Sequence, residues 1–338
     1  METILALPTD DMLDQAARIL RAGGLVGFPT ETVYGLGGDA TNESAVRAIF
    51  AAKGRPADNP LIVHVTEREE LSPLCEVSGA AETLIRAFWP GPLTLLMKKT
   101  SRVPDVTTAG LPSIAVRCPS HPVARRLIAL AGLPVAAPSA NVSGRPSPTT
   151  AAHVFEDMNG RIPMILDGGA CAVGVESTVL DVTGAIPVIL RPGAVTRDMI
   201  ADAVGACEVA GSVMRPLREG ESAPSPGMKH RHYAPRGRMT IVRGDNARMV
   251  EKMSQLYDAA DNCFILSGER NLQKYGARRT KILGDTPEEA ENRLFDALRD
   301  MDDRRVGRIF AEGFADSDES LAVMNRMARA AAFDILDV

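Results

Sequence analysis

The chain has 338 residues, 45% of them hydrophobic and 24% charged, which suits two packed domains and is too apolar for wholesale disorder. With 38 Lys+Arg against 43 Asp+Glu the net charge is -5, so bulk charge gives no support for nucleic-acid binding and leaves room only for a local basic patch. No run of 18 apolar residues predicts a transmembrane helix, the acidic METILALPTDDMLDQ is unlike a basic signal sequence, and Cys75, Cys118, Cys171, Cys207 and Cys263 are scattered without a CxxC pair, so the expectation is a cytoplasmic protein with reduced thiols, no disulfide framework and no zinc knuckle.

Taken in chain order, residues 11–22 carry Met12, Ala16, Ile19 and Leu20 on one helical face, and Gly23-Gly24 ends that helix. LVGF (25–28) reads as a short buried strand. PTETVYGLGGDA (29–40) follows it as a polar loop, with Thr30, Glu31, Thr32 and Tyr34 able to face a ligand. Gly35, Gly37 and Ala40 match a dinucleotide fingerprint formally, but the strand ends too early and no acid closes the next one, so a nicotinamide site is discounted. Residues 43–52 form a helix. KGRPADNPLIVH (53–64) then presents Lys53 and Arg55 on a loop stiffened by Pro56 and Pro60, a mobile point charge beside a planar fork suited to phosphate. His64 alternates with apolar residues on strand 61–65, where it is either a satisfied core histidine or part of a site.

A helix ending at Trp89 and the strands 93–99, 113–117, 134–138, 164–167, 177–182 and 187–191 complete a mixed sheet, because several connections are too short for a crossover helix. Helices fall around 121–131 and 150–158. APSANVSGRPSPTT (137–150) places small hydroxyls and Arg145 before a helix N-terminus, which is either an anion site or an ordinary Pro/Ser loop. Arg55, Arg117 and Arg191 each stand at a strand end or on a stiffened loop. Residues 208–237 lack periodicity and join the halves. Beyond them, strands 239–243, 263–267, 281–284 and 306–313 alternate with helices near 246–258, 287–300 and 320–332, which predicts a smaller open-sheet domain, with Thr286-Pro287 as a helix start. GxxxxGK[ST], HExxH and GxSxG are absent; His230 and His232 lack a third metal ligand.

Together PTETVYGLG, KGRPADNPLIVH, WPGPLT, AGLPSIAVR, APSANVSGRPSPT, GVEST, LRPGAV and SPGMKHRHYAP resemble the long, Sua5 form of the threonylcarbamoyl-AMP synthase family over nearly the whole chain. The resemblance implies an α/β fold: a YrdC-like twisted, mixed parallel and antiparallel catalytic domain (1–207), a linker acting as an active-site lid (208–237) and a Rossmann-like C-terminal domain (238–338). It implies a nucleotidyltransferase that makes threonylcarbamoyl-AMP and pyrophosphate from L-threonine, bicarbonate or CO2, and ATP with Mg2+. The product serves N6-threonylcarbamoylation of adenosine 37 of tRNA through a downstream transferase. By motif position, Lys53 and Arg55 are implied as catalytic; Thr32, His64, Arg117 and Ser177 as the threonine pocket; and Arg55, Asn59, Ser113, Ser139, Ser147, Arg191 and Tyr233 as nucleotide contacts, with no protein-held metal. A double-stranded RNA-binding module, or a weak RNA contact beside the enzyme activity, is one alternative; carbamoyl transfer from carbamoyl phosphate is another, disfavoured by the lack of zinc-finger cysteines.

Overall fold

The computed structural model describes residues 2–215 and 233–338. Its first sheet is built from β1 (Ile4–Ala6), β2 (Val26–Phe28), β3 (Gly35–Asp39), β4 (Ile62–His64), β5 (Leu93–Lys98), β6 (Ser113–Arg117), β7 (Val135–Ala136), β8 (Met164–Leu166), β9 (Thr178–Asp181), β10 (Val188–Arg191) and β11 (Glu208–Val209). The spatial order is β1-β8-β2-β3-β7-β4-β6-β5-β9-β10-β11. Parallel pairs such as β4 with β6 and β5 with β9 alternate with antiparallel ones such as β2 with β3 and β5 with β6, as the short connections require.

Register places the chemistry. His64 pairs with Arg117, and Arg117 with Thr94, so three polar residues form one row across β4, β6 and β5. Helix termini place more of it. The helix Glu43–Lys53 begins at Asn42, whose side chain accepts from the Ser44 and Ala45 amides, and ends at Gly54 with φ 61°. That left-handed cap turns the chain sharply and delivers Arg55 off the helix end.

The stretch read as a polar loop contains strand β3. Gly35, Gly37 and Gly38 give it little strand propensity. Packing explains the glycine: a Cβ on Gly37 would lie 2.7 Å from the Phe28 ring and 2.9 Å from Val135. Tyr34 is turned away from any ligand and donates to the Gly169 carbonyl at 2.7 Å.

The second sheet holds β12 (Arg238–Arg243), β13 (Cys263–Ser267), β14 (Thr280–Ile282), β15 (Arg308–Glu312) and β16 (Ile335–Asp337) in the order β14-β13-β15-β12-β16, with every pairing parallel. Thr286 caps the helix Pro287–Asp303 with Pro287 at its start. The first sheet takes in Glu208–Val209, beside β10, so it runs past the boundary expected at residue 207. Of SPGMKHRHYAP, the stretch before Tyr233 lies outside the described residues.

The two domains share a core. Val33 and Val175 of the first pack with Leu294, Phe295, Met324 and Met327 of the second. Polar clasps surround this contact. Arg299, fully buried, donates to Asp157 at 2.7 Å and to the Pro146 carbonyl at 2.7 Å. Asn292 donates to the Ala172 carbonyl at 2.8 Å, and a Cβ on Gly174 would meet the Asn292 backbone at 2.5 Å.

Arg299→Met strips one partner from a buried ion pair and is expected to lower the unfolding free energy by about 3 kcal/mol. Arg304→Met, which removes a half-exposed pair with Asp300, should cost less than about 1 kcal/mol. Urea denaturation of both variants, beside the parent chain, measures the difference.

Candidate active site

One cavity opens at the ends of β4, β6, β9 and β10. It is lined by Thr32, Arg55, His64, Arg117, Ser139, Ser147, Ser177, Arg191 and Tyr233, with Val33, Leu61, Ile62, Ala137 and Pro138 supplying apolar wall. Segments more than 150 residues apart in sequence thus meet around a polar floor. The three arginines flagged in the sequence all face it.

Arg55 and Arg191 form its most strained electrostatic feature. Burial pulls Arg55 down to about 10; Tyr233 works the other way, and neighbouring Arg191 adds to the depression. Burial lowers Arg191 as well. Both remain cations at neutral pH, mutually repelling and poorly solvated, and a bound anion relieves both costs. Their anchors are main-chain carbonyls: Arg55 Nη2 donates to Pro60 at 3.2 Å, and Arg191 Nε to Ser177 at 3.1 Å. Arg191 Nη2 also donates to Ser177 Oγ at 3.2 Å, while the Ser177 and Thr94 hydroxyls lie 2.7 Å apart.

Arg117 is oriented from three sides. Nε donates to the Gly91 carbonyl at 3.2 Å, Nη1 donates to Thr32 Oγ1 at 2.8 Å, and Nη2 lies 2.7 Å from Glu31 Oε1. The last contact is an ion pair poorly aligned for a hydrogen bond, so Nη2 and both Glu31 oxygens lack a directed partner. Burial works to raise the Glu31 carboxyl, but Arg117 holds it below its usual value. Glu31, expected to face a ligand, is therefore turned onto Arg117. Thr30 Oγ1 donates to the Val33 carbonyl at 2.6 Å and accepts from the Thr32 and Val33 amides, which fixes the turn carrying Thr32. His64 is buried with Nδ1 unpartnered; burial, then Arg117, drives it down to about 3, so its imidazole is neutral.

Three residues expected in the site stand behind or beside the cavity wall. Lys53 is buried and its ammonium donates to the Ser139 carbonyl and, at 2.6 Å, to the Asn141 carbonyl. Burial, then Arg55, pushes its pKa well below the usual lysine value. It holds the 139–141 loop in place of reaching the cavity. Asn59 is buried, lends its carbonyl to Arg55 and leaves Oδ1 unpartnered. Ser113 begins β6, at the opposite end of that strand from Arg117. Arg145, weighed as an anion ligand, instead pairs with Asp157 and with Glu156 at 2.6 Å.

Sequence reasoning missed Glu176 as a cavity residue and Arg326 as its partner. Glu176 lines the cavity, accepts from Ser147 Oγ at 2.5 Å and pairs with Arg326 at 2.9 Å. Arg326 stands among Val323, Met324 and Met327 on the helix Leu321–Ala330. An arginine inside an apolar helical stripe was the available signal. Tyr233 stacks on Phe295 with ring centroids 5.1 Å apart, and Arg326 lies 5.9 Å above its ring.

Comparison with known proteins bears on the family and the fold of the chain. A family model described as "Telomere recombination" matches residues 18–193, and one described as "Threonylcarbamoyl-AMP synthase, C-terminal domain" matches residues 195–332. The threonylcarbamoyl-AMP synthase of Pyrococcus abyssi is 46% identical over 96% of this chain and 95% of its own. That of Bacillus subtilis is 44% identical over 95% and 93%. The crystal structure of P. abyssi Sua5 complexed with L-threonine superposes with a TM-score of 0.93 at 43% identity, covering 100% of both chains.

The depressed His64 has a measurable consequence. Above its ordinary pKa of 6.5 it is neutral folded or unfolded; between 6.5 and about 3 only the unfolded chain takes up the proton. Stability should therefore fall as pH falls through that window, by up to about 1.4 kcal/mol per pH unit from this group. Denaturant titrations at pH 7.5, 6 and 5 should show a shallower decline for His64→Gln; parallel declines would assign the acid sensitivity elsewhere.

Proposed function

The chain belongs to the threonylcarbamoyl-AMP synthase family in its two-domain Sua5 form, and on that footing we propose that the cavity just described performs the whole adenylation in the first domain. The chain is an ATP-using L-threonylcarbamoyladenylate synthase, acting at the first step of N6-threonylcarbamoyladenosine formation in tRNA. The observation that carries the site assignment is the meeting on one cavity of buried Arg117 and Arg191 with partly buried Arg55.

In this reading the threonine amine adds to the carbon of CO2 and loses a proton to solvent, or to that of bicarbonate with loss of water, and gives a carbamate. A carbamate oxygen then attacks the α-phosphorus of ATP, and pyrophosphate leaves with the bonding electrons. Negative charge grows on phosphate oxygens, so placed cations in a site shielded from water are what the step requires. Arg55 and Arg191 take the phosphates. Arg117, held by Glu31 and Thr32, directs its free donor capacity to the threonine carboxylate. Thr32 and Ser177 are hydroxyls within reach of the amino acid's polar groups, and neutral His64 packs beside them without adding charge. Asn59 and Lys53 support the loops that present Arg55 and Ser139.

Mg2+ enters as part of the nucleotide substrate. Among the described residues no three metal-ligating side chains gather, and Glu176, the carboxylate that lines the cavity, is paired with Arg326. That donor set fits an ion carried by the triphosphate. Tyr233, at the described end of the expected lid, closes one side of the cavity over Phe295. A carbamate and its mixed anhydride both decompose in water, which gives this closure its use. No helix among the described residues is long and apolar enough to cross a membrane; a cytoplasmic enzyme passing its product to a tRNA-modifying transferase fits.

Threonine-dependent pyrophosphate release from ATP tests the assignment. Arg55→Ala should slow it by about 100-fold or more with the thermal melt preserved. Serine, which lacks the methyl that the apolar wall would contact, should be poorer than threonine by about 10- to 200-fold in kcat/KM. Parent-like turnover by Arg55→Ala removes Arg55 from the site; equal rates for serine and threonine would detach Val33 and Ile62 from substrate choice.

A further inference from the structure

The cavity contains a charge that a polyphosphate site should not tolerate. Glu176 lines it beside Arg55 and Arg191, and an unopposed carboxylate there repels the same oxygens that the arginines attract. Burial works to raise the Glu176 carboxyl, yet Arg326, Arg191 and the Ser147 hydroxyl hold it below the usual carboxylate value. It is therefore ionised at neutral pH. The first of those opposing groups belongs to the other domain.

Arg326 is fully buried. Its Nε donates to Glu176 Oε2 at 2.9 Å, Nη2 to the Glu176 carbonyl at 3.1 Å, and Nη1 to the Pro192 carbonyl at 2.7 Å. Glu176 immediately precedes Ser177, and Pro192 immediately follows Arg191. One guanidinium thus grips both loops that present those two residues. The loops are pressed together where it does so: a Cβ on Gly193 would lie 2.4 Å from the Thr178 amide nitrogen and 2.8 Å from the Glu176 carbonyl oxygen.

We propose that Arg326 is a positioning residue for adenylation: by cancelling the charge of Glu176 beside Arg55 and Arg191, it makes ATP uptake by the first domain depend on the docked second domain. The proposal rests on the cavity being the ATP site. It gives the C-terminal domain a task in the reaction without placing any of its atoms on the substrate.

Binding of ATP and of L-threonine to the full-length chain, each measured separately by calorimetry, tests it. Arg326→Met should weaken ATP binding about tenfold or more and L-threonine binding by clearly less, since Arg117 has its own partner and Ser177 alone of the threonine pocket lies on a gripped loop. Adding Glu176→Gln to Arg326→Met should restore ATP affinity to within about threefold of the parent, because the repelling charge is then gone. A purely structural loss would not be rescued by removing a second native group. Parent-like ATP affinity in Arg326→Met overturns the proposal, as does a double variant that binds no better than the single. If Arg326→Met fails to fold, the double variant is compared with Glu176→Gln alone: equal affinities support the charge argument, and a tenfold deficit in the double overturns it. A parent chain that binds no ATP would overturn the reading of the cavity itself, and this proposal with it.

Discussion

Two guanidinium groups held close together in a poorly solvated place are the constraint around which this molecule is arranged. Arg55 and Arg191 each lose hydration by burial, and the Arg191 charge depresses Arg55 further. A fold keeps such a pair only if it holds both firmly before any anion arrives. Here the holding is done by backbone: the carbonyls after the Gly54 cap for Arg55, and the Ser177 carbonyl for Arg191. The organising free energy is spent at folding, so that little rearrangement is left for binding or chemistry.

The carboxylates around the cavity follow from the same constraint. Glu31 and Glu176 each stand beside an arginine, at 2.7 and 2.9 Å. Asp157, one layer farther out, receives Arg299 and Arg145. Isolated buried charges of either sign are costly, whereas paired ones fix geometry. Two of these arginines, Arg299 and Arg326, come from the second domain. The interface between domains is accordingly apolar at its centre, where Val33 and Val175 join the neighbouring core, and ionic toward the cavity.

Much of this was legible in the sequence, because the signals were local. The end of the helix at Gly54 put Arg55 on a loop. The run SIAVR put Arg117 at a strand terminus, where its pairing with His64 and Thr94 makes a row. What failed to show was of three physical kinds. Strand β3 carries three glycines set by close packing, Gly35 and Gly37 against the Phe28 ring and Gly38 against Leu25 and Ile49, rather than by propensity. Strands β1, β11 and β16 are edge strands of two or three residues, too short for an alternating pattern. The direction of a side chain is the third: lysine at position 53 announces a cation, but only the packed loop at 139–141 determines that the ammonium turns inward to carbonyls. Arg326 combines distance with direction, lying 150 residues from the carboxylate it serves.

The row formed by His64, Arg117 and Thr94 carries a consequence for how such a protein can change over generations. Neighbouring residues on a strand point to opposite faces. A single residue gained or lost within β6 ahead of Arg117, with the pairing upstream kept, would send that guanidinium to the far side of the sheet. Loops that stay clear of the cavity can drift in length by ones and twos while the pocket survives. These strands, and the loops that carry Thr32, Arg55, Ser139, Ser147 and Glu176 to the cavity, cannot, so lineages descending from such a chain should carry their insertions and deletions elsewhere.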